Sequence, residues 1–412
     1  MRSRGRLRAC ALGLGYVGVA AAALAASPAL ALWEDKLTPF VEQKVARDDN
    51  VFRAPSPTAD TYSTTSLGFT LDVPVSRQRF QASYTWSATR YSQLSDLDFN
   101  GHDARAIWLW QVGNDLSGQL GYTDNFALAP FQYTQSRIPD PLRTRTAFLN
   151  AAQLLTPRWR IQSGAGVFDQ KNGAPVPPNG VPTFQLSDIN IASADASLSY
   201  VTPANNSIGL SGRLEGARFP NRNFAEGIGA PFDDSYRQTS VGLIGDWTVT
   251  GVSRVAARAS HVSRRYPNTP QSNLDGYTAV AEYDWKVTGK LTLAGVVRRD
   301  ISPFQDIQST FVLVRGVTVR PTLAVTEKID LAAILDYSIW DFLGDPGLSG
   351  GNQPVSNKGR VDRVRSGTAS LSYKPLRSVT LQASVLREFR TSNTEGADYA
   401  VNVATVTARL SF

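Results

Sequence analysis

Phe80-Gln81-Ala82-Ser83-Tyr84-Thr85-Trp86 alternates apolar and polar residues without interruption. That is the period of a strand with one face toward apolar surroundings and the other toward water. Val379-Thr380-Leu381-Gln382-Ala383-Ser384-Val385 repeats the pattern, and so does Ile208-Gly209-Leu210-Ser211-Gly212-Arg213-Leu214, with glycine where a side chain could stand. Leu331-Ala332-Ala333-Ile334-Leu335-Asp336-Tyr337 is weaker, because both faces carry apolar residues. No window offers the i, i+3, i+4, i+7 spacing of an amphipathic helix. Beyond its N-terminal segment the chain reads as all-β.

The connections sharpen that reading. Tight turns recur at Val112–Asn114, Thr156–Arg158, Thr202–Asn205, Thr250–Gly251, Thr288–Lys290, Thr326–Lys328 and Lys374–Arg377. Longer polar segments lie between them, at 92–100, 127–142, 171–185, 220–232, 266–274, 303–306, 343–357 and 392–396. Strict alternation of short and long connections is the signature of an up-and-down transmembrane barrel, with short periplasmic turns and long outer loops. The expected strands are 37–52, 61–73, 78–91, 101–113, 115–126, 143–156, 158–170, 186–202, 205–219, 233–249, 251–265, 275–288, 290–302, 307–326, 328–342, 358–374, 377–391 and 397–412. That is about 18 antiparallel strands, and small shifts of the boundaries would also allow 16. Barrels of this size are wide enough for an aqueous channel.

The N-terminal segment carries its own signal. Arg2, Arg4, Arg6 and Arg8 form a basic region, Ala9 to Leu24 an apolar one, and Ala29-Leu30-Ala31 a small-x-small cleavage site. Residues 1–31 are therefore expected to be a cleaved signal peptide, and 32–412 a single outer-membrane barrel domain. The full chain carries a formal charge of +7, and loss of four arginines leaves about +3. The basicity thus belongs largely to the export signal, which argues against nucleic acid as a partner. Cleavage also removes Cys10 and Met1, the only cysteine and methionine, which excludes disulfides and thiolate chemistry. After Ala31 no apolar stretch reaches the roughly 18 residues of a transmembrane helix. The expected location is the Gram-negative outer membrane, with lipid and the barrel-insertion machinery as partners.

The end of the chain agrees. Val406-Thr407-Ala408-Arg409-Leu410-Ser411-Phe412 resembles the C-terminal signal of outer-membrane barrels, in which a final aromatic, here Phe412, is read by that machinery. Trp110, Tyr122, Trp159, Tyr200, Trp247, Trp285 and Tyr373 gather near the short turns and suit a headgroup-level girdle.

Asp48-Asp49-Asn50-Val51-Phe52-Arg53, at the end and exit of the first expected strand, resembles a family of outer-membrane barrels assigned to exopolysaccharide transport in exosortase-associated operons, within a wider β-barrel porin group. The resemblance implies a passive conduit or docking component for export of an extracellular polysaccharide, working with periplasmic export components. Physically, Asp48 and Asp49 could bind a divalent cation or clamp an arginine across the barrel seam. A polar strand end with Asn50 supplying turn geometry accounts for the same residues.

Chemistry is sparse elsewhere. His102 and His261 fall near outer strand ends with no nucleophile, metal or cofactor motif around them, so no enzyme, metal or cofactor is expected. An arginine or lysine facing lipid at the bilayer midplane costs roughly 2–4 kcal/mol. The charges within the strands are therefore expected to face the lumen: Arg105, Arg160, Arg213, Arg254, Arg258 and Arg298, with Asp72, Glu215, Asp246, Glu282, Asp284 and Asp336. Such a mixture predicts mild selectivity, although a ladder of arginines could attract acidic sugars. Lumen-side aromatics such as Phe168 and Trp340 could stack on sugars, but two are too few to make a sugar track. Segment 127–142 either folds inward to constrict the channel or lies over the rim. A general diffusion porin for small solutes and an occluded structural or adhesive barrel are the other readings.

Overall fold

The computed structural model describes residues 36–134, 137, 139–173, 188–220, 235–302, 311–343, 349–350, 353–354 and 359–412. The expected signal peptide lies outside them, as do most of the outer segments 171–185, 220–232, 303–306 and 343–357. Twenty strands are described: β1 (Leu37–Asp48), β2 (Asp60–Val75), β3 (Gln78–Tyr91), β4 (Phe99–Val112), β5 (Leu116–Leu128), β6 (Pro141–Thr156), β7 (Trp159–Asn172), β8 (Ile189–Val201), β9 (Ser207–Arg218), β10 (Tyr236–Thr250), β11 (Ser253–Arg265), β12 (Leu274–Lys286), β13 (Leu291–Ser302), β14 (Phe311–Ala324), β15 (Ile329–Leu343), β16 (Ser349–Gly350), β17 (Gln353–Pro354), β18 (Val361–Leu376), β19 (Val379–Ser392) and β20 (Tyr399–Ser411).

Eighteen of these form one antiparallel sheet in which each strand pairs with its sequence neighbours, and β16 and β17 pair only with each other, within the connection from β15 to β18. The sheet closes because β1 also pairs with β20, from Phe40 opposite Ser411 to Asp48 opposite Val403. Closure gives each strand of the main sheet a partner on both sides, as a lipid environment requires.

Register sorts the side chains. Leu67 pairs with Trp86 and Trp86 with His102, so one face is followed from strand to strand around the ring. Leu67, Phe69, Phe80, Trp108, Leu210, Leu243, Val297, Val317 and Val406 all lie on that face and are exposed, as a lipid-facing band demands. Trp159 and Tyr200 meet edge to face at 5.5 Å near their turns, with Trp110, Trp247, Trp285 and Tyr373 on the same outward side. Tyr122 is outward too but lies well inside β5, away from the turn where the girdle reading put it.

The short turns owe their recurrence to threonine. The Thr156 hydroxyl accepts hydrogen bonds from the N–H groups of Arg158 and Trp159, and Thr288 does the same for Lys290 and Leu291. Thr202, Thr250 and Thr326 accept from Asn206, Val252 and Lys328. Each hydroxyl satisfies turn donors that the ladder cannot reach.

The first strand is shorter than its alternation suggested. It ends at Asp48, and the chain then turns, with Arg53 in the left-handed region at φ 54°.

Candidate functional site

Every charged residue expected inside lies on the face opposite the apolar band. Arg105 lies on β4, Arg160 on β7, Arg213 and Glu215 on β9, Asp246 on β10, Arg254 and Arg258 on β11, Glu282 on β12 and Arg298 on β13. The inner wall encloses a cavity of about 1270 Å³ that reaches from the β2–β3 turn to the outer ends of β11 and β13. Arg213, Glu215, Arg258 and Arg298 line it, as do Arg79, Asp195 and many Ser and Gln. Phe168 and Trp340 also face inward, opposite Thr146 and Asp362.

Most of the inner charge is internally paired. Asp72 takes a bidentate contact from Arg79, with Nε at 2.6 Å, and Asp246 takes one from Arg254, with Nε at 2.7 Å. Arg213 stands 3.0 Å from Glu215 and 3.7 Å from Asp195. Asp336 receives Arg298 at 3.3 Å and the Thr318 hydroxyl. Arg105, Arg160 and Arg258 have no ion-pair partner among the described residues, and Glu282 has none either. Arg160, Arg258 and Arg298 fall on one register row through Ser199, Gly209, Ile244 and Val280. With strands about 4.8 Å apart, Arg160 and Arg258 stand roughly 19 Å apart on that row and Arg258 and Arg298 roughly 10 Å apart, with Arg298 already met by Asp336.

The outer mouth is narrowed from two sides. The described part of segment 127–142 folds inward: Phe131 packs edge to face on Phe52 at 5.2 Å, and the Gln132 carbonyl accepts from Arg390 Nη1 at 2.9 Å. Arg390 lies on the inner face of β19, so the segment reaches across from β5 and β6 to the opposite side of the seam. Beneath it Val51, Phe52, Leu94 and Leu97 form a buried cluster. Asp60 anchors this layer by accepting from the N–H groups of Gln93 and Leu94. Asp96, in the same turn, receives Arg137 at 3.0 Å, and the guanidinium holds its carboxyl below the usual carboxylate range. On the other side Phe219, Tyr236, Val262 and Tyr266 form a second apolar cluster. Arg264 is buried there, 4.0 Å from the Tyr236 ring centre, with Nε on Gln238 at 2.8 Å.

The Asp48–Arg53 motif builds the seam. Asp48 is buried and accepts from Arg53 Nη1 at 2.8 Å and from the Asn50 N–H at 2.9 Å. Asn50 donates to the carbonyls of Ala54 at 2.8 Å and Ala400 at 3.0 Å, and accepts from the Ala54 N–H. Asp49 accepts from both the N–H and the side-chain amide of Asn402, each at 2.7 Å. Val51 and Phe52 enter the cluster under the inserted segment. The arginine clamp is therefore local, and the link across the seam runs through Asp49 and Asn50. A divalent cation would compete for oxygens that Arg53 and Asn402 already use. Among the described residues no group of three or more His, Cys, Asp or Glu is placed to hold a metal ion.

The histidines face outward. His102 stacks near Tyr84 and has Nε2 3.5 Å from Asp124, which Arg143 holds at 2.9 and 2.5 Å. His261 pairs in register with Val241 and Tyr277 on the same outer face. Phe412 is outward and 68% exposed, its N–H bonded to the Pro39 carbonyl. Sequence reasoning missed Arg264 and Arg390, both buried at the mouth, and Asn402, the partner of Asp49. For Arg264 the signal was the run Arg264-Arg265 at a strand end, and Asn402 carries none.

The geometry is that of a closed, 18-stranded antiparallel barrel of the outer-membrane porin type. The family model described as "Putative beta-barrel porin 2" matches residues 249–412. The chain is also similar in structure to OpdK of Pseudomonas aeruginosa solved with vanillate (TM-score 0.48, 11% identity, 92% of this chain and 99% of that one). OccK2 (OpdF) of the same organism, in complex with glucuronate, gives TM-score 0.48 and 10% identity over 92% and 98% of the two chains. A mutant of its ferric enterobactin receptor PfeA gives 0.50 and 7% over 92% and 80%. No curated protein sequence matches the chain. At such identities the likeness concerns the fold alone.

Proposed function

We propose that the barrel is a passive diffusion channel for small polar solutes, with a mild preference for anions. The observation that carries this reading is the combination of a polar, charge-lined cavity of about 1270 Å³ with a mouth narrowed by the inward part of segment 127–142 and two apolar clusters. Paired wall charges keep the lumen hydrated without a large net field. The unpaired Arg160 and Arg258, on one register row, supply the bias toward anions. Nothing in such a wall couples transport to an energy source, so flow follows the solute gradient.

Export of an acidic extracellular polysaccharide is the second reading, with periplasmic components engaging the short turns. The same arginine row favours it, and so does the resemblance at Asp48–Arg53. A polymer would have to thread the narrowed mouth, and the motif is occupied by seam contacts, so the small-solute channel stands first.

An in-frame deletion strain tests both. Slower uptake of small hydrophilic antibiotics with normal surface polymer is the expected result. Unchanged uptake with polymer accumulating in the periplasm would replace the channel reading by the export reading.

A further inference from the structure

The cationic surplus of this barrel lies outside the lumen. Toward the long-loop end of β13 to β19, the outward face carries Arg299, Arg315, Arg363, Arg365 and Arg387. Arg299 is directly opposite Arg315, and Arg363 continues that row through Ile339. Asp341 answers Arg315 at 2.7 Å, whereas Arg363, Arg365 and Arg387 have no ion-pair partner among the described residues. The one pair of like charges directly opposite, Arg299 and Arg315, is relieved on one side by Asp341, and the three unpaired guanidiniums leave a local positive excess that an external anion would meet.

The level of these residues says which one. From Tyr373 near the short turn to Arg363, β18 climbs about ten residues, about 33 Å of strand. At a tilt near 40° that is roughly 25 Å along the barrel axis, the height of the apolar band of outer-membrane barrels. The arginines therefore stand where the outer-leaflet headgroups begin. Arg299 lies 3.8 Å from the Tyr277 ring centre and Arg387 lies 4.7 Å from that of Phe389. Stacking of this kind lays the side chain on an apolar surface; Arg299 also donates from Nη1 to the Tyr277 carbonyl, and its remaining N–H groups, like those of Arg387, can donate outward. The planar fork matches phosphate oxygens in pairs.

We infer that this collar binds the phosphate groups of an outer-leaflet phosphorylated glycolipid. The inference is independent of what crosses the lumen, and conductance tests the channel reading separately.

The test uses the full barrel in phosphatidylcholine nanodiscs doped with bisphosphorylated lipid A, or with lipid A stripped of its phosphates. Lipid retained through chromatography is counted by native mass spectrometry, and thermal unfolding is followed by gel mobility. Phosphorylated lipid A should be retained and should raise the unfolding temperature, and dephosphorylated lipid A should do neither. Each arginine near an anionic surface is worth about fivefold in affinity, so R363Q/R365Q/R387Q should lose on the order of 100-fold. Should that variant fail to fold, R365K and the comparison of the two lipids on the unaltered protein decide the matter. Equal retention of both lipids, full retention by the triple variant, or the same thermal shift from inorganic phosphate alone would each overturn the proposal.

Discussion

Asn50→Ala removes three hydrogen bonds at once, one of them across the seam. The amide donates to the carbonyls of Ala54 and Ala400 and accepts from the Ala54 N–H, at a site where Asn50 is only 1% exposed. Water does not replace these partners, because Val51 and Phe52 bury the turn. At about 1 kcal/mol net for each bond, the loss is about 3 kcal/mol. Asn50→Asp keeps the shape but turns the donor toward two carbonyls into an acceptor, and should cost at least as much. Refolded protein in detergent, unfolded with urea and followed by tryptophan fluorescence and heat-modifiable gel migration, reads the effect. The midpoint should fall while the slope, which reports exposed area, stays the same. An Asn50→Ala barrel within about 0.5 kcal/mol of the parent, the range of ordinary surface substitutions, would refute the seam role.

Three further outcomes follow from the same geometry. Phe131→Ala, which removes the ring packed on Phe52, should loosen the inserted segment and raise single-channel conductance; an unchanged conductance would mean the segment does not set the constriction. Replacing Arg160 and Arg258 with glutamine should shift the reversal potential in a salt gradient toward cations, whereas no shift would remove the arginine row from the permeation path. The Asp96 carboxyl is held below its usual range by Arg137, so the tether it forms is fully present above about pH 4. The tether is lost only as pH falls through the lowered value. Open-channel noise should therefore match at pH 7 and pH 5 and rise in strong acid, and Asp96→Asn should show the acid behaviour at every pH.

Legibility followed the physics of each element. Alternation is dictated residue by residue by the two faces of a strand, so β3 and β19 could be read from their apolar and polar periods alone. The short turns could be read because a threonine hydroxyl caps them, and that chemistry is local. Even the inward set from Arg105 to Arg298 needed only the period and the cost of charge in lipid. The seam was harder. Asp49 and Asn402 meet only after the ring closes, and no spacing within the chain announces that they will. The inserted segment was ambiguous for the same reason, since the partner of Gln132 is Arg390 on the far side of β19. The outward arginines escaped because the midplane cost was applied to whole strands. Near a strand end that cost vanishes, and arginine is free to face outward.

Pairing β1 with β20 also shapes how the chain reaches its final state. Each other ladder joins strands consecutive in the barrel, and most of these follow one another within a short turn or a modest loop. The contacts of Asn50 with Ala400 and of Asp49 with Asn402 instead span 350 and 353 residues. A link of that range carries the largest loop-closure entropy in the molecule if it forms first, and almost none once the intervening hairpins are in place. The seam contacts of Asp49 and Asn50 thus behave as a clasp rather than a nucleus: they hold the cylinder shut once the last strand has arrived, whereas the local bonds of Asp48, Asn50 and Arg53 form with the first hairpin. Substitutions that remove only the seam contacts should leave the rate of hairpin assembly alone and speed the opening of finished barrels.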